Sequence, residues 1–283
     1  MSTERPLPPT DAPPVCPRHP DRVSYVRCQR CGRPVCPECQ RPAAVGVQCV
    51  DCVAEAARAI RPTRTALGGT VGDGRPVVTI AIIALCLVSF VLQKVDPAWT
   101  GRWAFSPAAG QVQPYRFLTA AFLHSPGQIT HILFNMIALW MVGPFLEAML
   151  GRWRYITLYL VSAVAGQVGV LLLASPDTLA WYSGVVGASG AVFGLFGAVL
   201  VVLRRLGRSA SSFLVIIGLN LVIGFVVPGI AWQAHVGGLV VGAGLGAAFA
   251  YVPASRRRDL GVLSSVVATV VVVGLALLRY ASV

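Results

Sequence analysis

Residues 184–194 read GVVGASGAVFG. Two readings compete for this stretch. Its glycines, with alanine and serine, give the thin helix face that tightly packed membrane helices use. Ser189, set among those glycines, is also where a nucleophile could stand. The choice turns on whether the stretch lies in a membrane and on what faces Ser189 there.

Composition answers the first question. The chain has 283 residues, 55% hydrophobic and only 12% charged. A soluble domain carries about a quarter charged residues, so the balance favours a membrane protein. Two unlike parts contribute to it. Residues 1–75 hold most of the prolines, many arginines and every cysteine but one, whereas from Pro76 onward apolar runs alternate with short polar breaks. A soluble head therefore precedes a membrane body. The opening, MSTERPLPPTDAPPVC, has no apolar core of a signal peptide. The net charge of +12 resides in arginines that fall mostly between apolar runs, not in one basic stripe with interleaved aromatics. Membrane topology explains them, and nucleic acid is not an expected partner.

A helix needs about 20 mostly apolar residues to cross a bilayer. Seven segments fit, at 77–93, 128–147, 155–174, 185–203, 212–230, 234–252 and 260–279. The fourth is weakest in hydropathy because of its glycines. The long loop at 94–127 carries Trp99, Trp103, Phe105 and Phe117, aromatics suited to the membrane interface. Cytoplasmic loops are rich in Lys and Arg. Placing the N-terminus inside also places Arg152, Arg154, Arg204, Arg205, Arg208 and Arg256–Arg258 inside, and leaves the C-terminus outside.

With this direction, the second, fourth and sixth helices all enter from the outer face. His131 and Asn135, Ser189, and His235 lie near their respective beginnings. A single intramembrane histidine can be a satisfied packing residue, but ionisable groups in a membrane are costly, and four polar groups converging at one depth point to function. Serine becomes a nucleophile when a base takes its proton, and His235 is the base at that depth. Gly190 and Gly194 form one GxxxG pattern, and Gly238, Gly242 and Gly246 another. Close approach of those faces would bring serine and histidine together. His131 and Asn135 share one helix face at i, i+4. They and the backbone N–H of Ser189 are the candidate donors to an oxyanion.

An acidic third member is missing. From Pro76 to Arg258 the only acids are Asp96, Glu147 and Asp177. Asp96 and Asp177 sit in loops, and Glu147 lies about 24 Å along its helix from His131. A Ser–His dyad is expected, with Phe193, one turn after Ser189, holding the His235 ring by stacking. HExxH is absent, and so is a pair of membrane carboxylates, which argues against zinc and aspartyl chemistry. His124 reads as a loop residue near the site.

HILFNM (131–136), GASGAVFG (187–194) and AHVGGLVVG (234–242), in this order and topology, resemble the rhomboid family of intramembrane serine proteases. The resemblance covers residues 77–252. It implies an all-α polytopic fold with a six-helix core at 76–252, to which residues 253–283 add a loop and a seventh C-terminal helix. It also implies Ser189 as nucleophile, His235 as general base, His131 and Asn135 at the oxyanion, and single-span transmembrane proteins in the bilayer as substrates. Gly187 and Gly190 flank the nucleophile in the GxSG pattern. PYRFLTAAFLH (114–124) resembles the family's first-loop motif, with Tyr115 where Trp is common. Glu147 with Gly151–Arg152 resembles its ExxxGR turn. Phe193 stands where some members have Tyr, which keeps the ring and loses the hydroxyl. The rival reading is a catalytically silent membrane adaptor that binds client helices, and it has no need of both Ser189 and His235. The expected location is a bacterial plasma membrane.

The head reads Cys16-x2-His19, Cys28-x2-Cys31, Cys36-x2-Cys39 and Cys49-x2-Cys52. Eight soft donors in four pairs are enough for two tetrahedral zinc sites, both closed and therefore structural. Disulfides fail in a reducing compartment and leave His19 unexplained. The spacing resembles B-box-type zinc fingers, which implies interleaved sets: Cys16, His19, Cys36 and Cys39 against Cys28, Cys31, Cys49 and Cys52. Sequential pairing is the alternative. The module at 16–52 is a candidate contact for a cytoplasmic protein partner. Residues 1–15 are expected to be disordered and 53–75 to form a linker. Cys86 reads as a packing residue.

Overall fold

The computed structural model describes residues 13–59, 64–69 and 75–283. The chain forms two compact units, Met1–Pro62 and Thr63–Val283. The first contains two small antiparallel hairpins, one pairing β1 (Val15–Cys16) with β2 (His19–Val23) and the other pairing β3 (Gln40–Pro42) with β4 (Val47–Cys49). Helix α1 (Val50–Ala59) follows directly. Residues 53–59, expected as linker, are thus helical, and most of the expected disordered N-terminus lies outside the described residues. The buried centre of this unit is made of Val35 and cysteines, with Val50 packed against it, so its apolar core is very small.

The second unit is helical. After α2 (Val77–Val95), three short helices occupy the long loop: α3 (Ala98–Trp103), α4 (Pro107–Val112) and α5 (Arg116–Thr119). Then come α6 (Ile129–Leu150), α7 (Arg152–Leu173), the short α8 (Leu179–Tyr182), α9 (Ser189–Arg205), α10 (Ser211–Val226), α11 (Trp232–Tyr251) and α12 (Arg257–Ala281). Seven of these correspond to the seven expected spans. Five are long and apolar enough to cross a membrane: α2, α6, α7, α11 and Ala254–Ala281, which contains α12. The other two, α9 and α10, are shorter than expected for identifiable reasons. Val185 is not helical, because its N–H and carbonyl pair with Phe105 at 2.6 and 3.1 Å, and Gly187 N–H is bound to Ala120 O at 3.0 Å. At the far end of α10, Pro228 and the left-handed Gly229 stop the helix.

Helix α9 is the centre of the bundle and is buried along most of its length. That burial explains its weak hydropathy, since it faces protein where a lipid-exposed helix would need a continuous apolar surface. Its neighbour α11 approaches backbone to backbone. A Cβ on Gly238 or Gly242 would collide with the main chain of Gly190 or Gly194, respectively. On Gly246 it would stand 2.8 Å from the Cα of Ala198. A neighbouring face of α11 meets α7 in the same way, with Gly237 Cβ blocked by Ala165 O and Gly169 Cβ lying 2.5 Å from Gln233 O. With lipid outside, helices associate by packing, not by the hydrophobic effect, and small residues permit that contact.

Glu147 shows how the ends of the bundle are closed. Its buried carboxylate accepts from the backbone N–H groups of Val78 and Thr79 and from Thr79 Oγ1, each at 2.9 Å. These are N-terminal donors of α2 that have no partner within the helix. At the other end of α7, Arg279 of α12 donates to Ala174 O at 2.8 Å and fastens the seventh helix to the core.

The α9–α11 contact predicts a sharp contrast between neighbouring glycines. Gly242→Ala should lower the thermal unfolding midpoint of the detergent-solubilised protein, with a cost of about 1–3 kcal/mol for overpacking. Gly244→Ala, where a Cβ meets nothing within 4 Å, should not.

Candidate functional site

Ser189 is the first residue of α9, so its side chain sits where the chain emerges from the Phe105–Val185 bridge and starts to coil. Gly187 makes that entry possible with φ +136°. A Cβ at Gly187 would lie 2.9 Å from His131 Nε2 and 3.6 Å from Ser189 Oγ. The imidazole of His131 and the hydroxyl of Ser189 thus flank the same glycine, although they come from α6 and α9.

His131 has a defined tautomer. Its Nδ1 accepts a hydrogen bond from Ser125 N–H at 3.2 Å. A neutral ring that accepts at Nδ1 carries its proton on Nε2, so the nitrogen beside Gly187 is a donor. Asn135 lies one turn along α6, half-turned into its own helix, with one amide N–H bonded to His131 O at 2.8 Å. Its second N–H is the one left for other use.

His235 lies on the first turns of α11 and is 7% exposed. Its ring stacks on Phe193 with centroids 4.2 Å apart and planes 7° from parallel. Phe193 follows Ser189 by one helical turn, so the stack holds His235 beside the start of α9. Gly224 of α10 approaches the ring as well: a Cβ there would be 3.4 Å from His235 Nδ1. Among the described residues no hydrogen bond joins Ser189 Oγ to His235, and His235 Nδ1 is buried without a partner. Nor does any acid among the described residues pair with the ring. Catalytic hydrogen bonds are often long in a substrate-free site.

One residue at the site, Gln93, was not singled out from sequence, and it holds His124, the expected loop residue near the site. Gln93 of α2 clamps the backbone of His124 from both sides, accepting from its N–H at 3.0 Å and donating to its carbonyl at 2.8 Å. His124 itself is fully buried, and its ring meets that of His131 edge-on, with centroids 5.2 Å apart. Burial, followed by the neighbouring His131, pushes its pKa down to about 3, so the ring is neutral. The signal for Gln93 was a lone amide near the end of an otherwise apolar run.

The site geometry defines a class: a multi-pass membrane protein whose central helix begins with a serine set beside a half-buried and a buried histidine. Comparison with known proteins gives the family. Residues 111–252 match the Rhomboid domain, and the chain belongs to the rhomboid family. It is 34% identical over 185 residues to Rhomboid protease GluP of Bacillus subtilis (strain 168), covering 60% of this chain and 34% of that protein. It is 35% identical over 153 residues to RHOMBOID-like protein 7 of Arabidopsis thaliana, covering 52% and 46%. To Rhomboid protease GlpG of Yersinia pestis (strain Pestoides F) it is 29% identical over 179 residues, covering 58% and 59%. The chain thus spans less than two thirds of each relative's own length.

In the head, the donors gather as two sets: Cys16, His19, Cys36 and Cys39, and Cys28, Cys31, Cys49 and Cys52. Within each set the ligand atoms lie within 4.8 Å of one another. The first and third pairs group together, as do the second and fourth. Tetrahedral zinc with Zn–S of 2.3 Å requires S···S separations of about 3.8 Å and N···S of about 3.5 Å. Cys31 Sγ and Cys49 Sγ are 3.8 Å apart, and His19 Nδ1 is 3.3 and 3.4 Å from Cys36 Sγ and Cys39 Sγ. The donor sets therefore fit a metal ion. The thiols are electrostatically split: a backbone hydrogen bond from Cys36 brings Cys16 down to about 6, whereas burial and the neighbouring thiols push Cys39 up to about 11. A divalent cation would remove that split by favouring every thiolate.

Gly187→Ala tests the geometry directly. It places a methyl against His131 in a backbone region costing about 1–3 kcal/mol for a residue with a side chain. A lowered unfolding midpoint is expected, while Gly184→Ala, with only Ala104 Cβ at 3.8 Å, should leave the midpoint unchanged.

Proposed function

We propose that this protein is an intramembrane serine endopeptidase that cleaves transmembrane segments of single-span membrane proteins. The observation that carries this reading is the stack of Phe193 on His235 beside Ser189, with the His131 Nε2 donor across Gly187. Ser189 Oγ attacks the scissile carbonyl carbon and its proton passes to His235. The oxyanion is met by His131 Nε2–H, the free N–H of Asn135 and the backbone N–H of Ser189. His235 returns the proton to the leaving amine, the acyl-enzyme forms on Ser189, and water activated by His235 then releases it. Phe193 replaces an acid in orienting the imidazole, which fits a dyad. The rhomboid proteases among the relatives support the same chemistry.

The arginine distribution supports an N-terminus in the cytoplasm and a C-terminus outside, in a bacterial plasma membrane, with Ser189 toward the outer face. In the head, the two donor sets would hold one structural zinc each. His19 would bind through Nδ1 while its Nε2 faces Glu38 at 3.9 Å. With so little apolar core, the unit depends on metal for its fold. Its role is contact with a cytoplasmic protein partner.

Two experiments test these readings. Purified full-length protein in detergent, incubated with a model transmembrane substrate, should cleave it. Ser189→Ala or His235→Ala should lower the rate by at least about 10²-fold, whereas Phe193→Tyr should retain most of it. Equal cleavage by all variants would end the protease reading, and no cleavage even by the wild type would favour the adaptor. Metal analysis should find two zinc ions per chain, falling toward one in Cys28→Ser and unchanged in Cys86→Ser. A wild-type value well under two would rule out the two-site head.

A further inference from the structure

Where α7 and α12 begin, three arginines converge and, among the described residues, no carboxylate pairs with any of them. Arg154, on the first turn of α7, is only 3% exposed, and its Nε and Nη1 have no hydrogen-bond partner. Arg257 opens α12. Its Nη2 donates to Ala66 O at 3.0 Å, while its Nε is buried and unpartnered. Arg64 Nη1 reaches Gly68 O at 3.4 Å.

Gly68 is the hub. It has φ +85°, and a Cβ there would stand 2.7 Å from Arg257 Nη1 and 3.3 Å from Arg154 Nη2. Two guanidinium groups therefore face each other across a single glycine, with the third on its carbonyl. The turn that holds them is fixed to the bundle: Thr65 Oγ1 and Gly69 N–H both donate to Met149 O, at 2.8 and 3.1 Å.

Guanidinium cannot shed its proton at any ordinary pH, so the repulsion among these groups is permanent. The rings of Trp153 and Phe249 lie 5.7 and 5.9 Å from Arg154, and they attract the cation without neutralising it. The N-termini of α7 and α12 add positive potential at the same place. The nearest acid on α6, Glu147, is committed to α2. Buried N–H donors without acceptors, in a cluster of positive charge that no carboxylate among the described residues pairs with, call for an anion with several oxygens. Arginine forks match the geometry of phosphate.

We propose that Arg64, Arg154 and Arg257 form a binding site for a phosphate group, supplied by the headgroup of an anionic phospholipid. The arginines stand at the ends of membrane-spanning helices, at the level where such headgroups lie. Free phosphate shares the chemistry, and the experiment separates the two sources.

Full-length protein, stripped of lipid in a neutral detergent, is titrated with phosphatidylglycerol, with phosphatidylcholine of the same acyl chains, and with inorganic phosphate. Bound lipid is read by native mass spectrometry and stability by thermal unfolding. Phosphatidylglycerol should bind about tenfold more tightly than phosphatidylcholine and raise the midpoint. The double variant Arg64→Gln/Arg257→Gln, altered at the two more accessible arginines, should still unfold cooperatively and lose about tenfold in affinity. Stabilisation by inorganic phosphate that the double variant loses supports the same site with a soluble source. Equal affinity for phosphatidylglycerol in wild type and double variant, with no response of either to phosphate, overturns the proposal.

Discussion

The backbone contact between α9 and α11 governs the rest of the membrane unit. Gly190, Gly194 and Ala198 on one side meet Gly238, Gly242 and Gly246 on the other, so main chain packs against main chain over the length of the interface. In lipid, apolar side chains gain little by leaving the solvent, and helices are held by the density of their contacts. A side chain at Gly238 or Gly242 would meet the main chain of α9, push the helices apart and carry His235 away from Ser189 and Phe193. Glycine costs a helix about 1 kcal/mol per residue relative to alanine in water, and here the close approach offsets that cost. Packing and the proposed catalytic alignment are one feature, which is why the same short sequence motif reads both ways.

A second constraint explains the shape of the entrance. Irregular backbone within a membrane must find hydrogen-bond partners inside the protein. The strand-like stretch before Ser189 does so with Phe105 and Ala120, and the segment before α6 does so with Gln93 and with His131. The bond from Ser125 N–H serves two purposes at once. It satisfies a backbone donor at the foot of α6, and it sets the His131 proton on the nitrogen that faces Gly187. The chemistry at the site thus follows from how the loop solves its own hydrogen bonding.

The sequence made most of the long apolar helices legible because hydropathy is a local property, and it made the cysteine pairs legible because ligand spacing is local too. The residues of the candidate site could be grouped because topology sorts helix beginnings by side. What could not be read was long-range pairing. The start of α9 is set by Phe105, some 80 residues earlier, so no pattern near Ser189 marks it. Gln93 becomes significant only through the backbone of His124. Glu147 stood in a recognisable motif, but its structural task, capping α2, depends on a helix far upstream. Hydropathy also undervalued α9, since it measures affinity for lipid and this helix touches mainly protein.

Charge inside the bundle follows one rule with one exception. Glu147 is buried at 5% exposure, and both of its oxygens are used by α2, with Arg152 Nε a further 3.9 Å from Oε1. Arg279 is likewise spent on the carbonyls that end α7. Each is an ion matched to a helix end of opposite polarity. Arg154 breaks the pattern, because it sits at a helix beginning, where the dipole is positive, and its neighbours are two more arginines. A buried ion in unfavourable potential needs a counter-charge, and the phosphate proposed for this cluster would supply it.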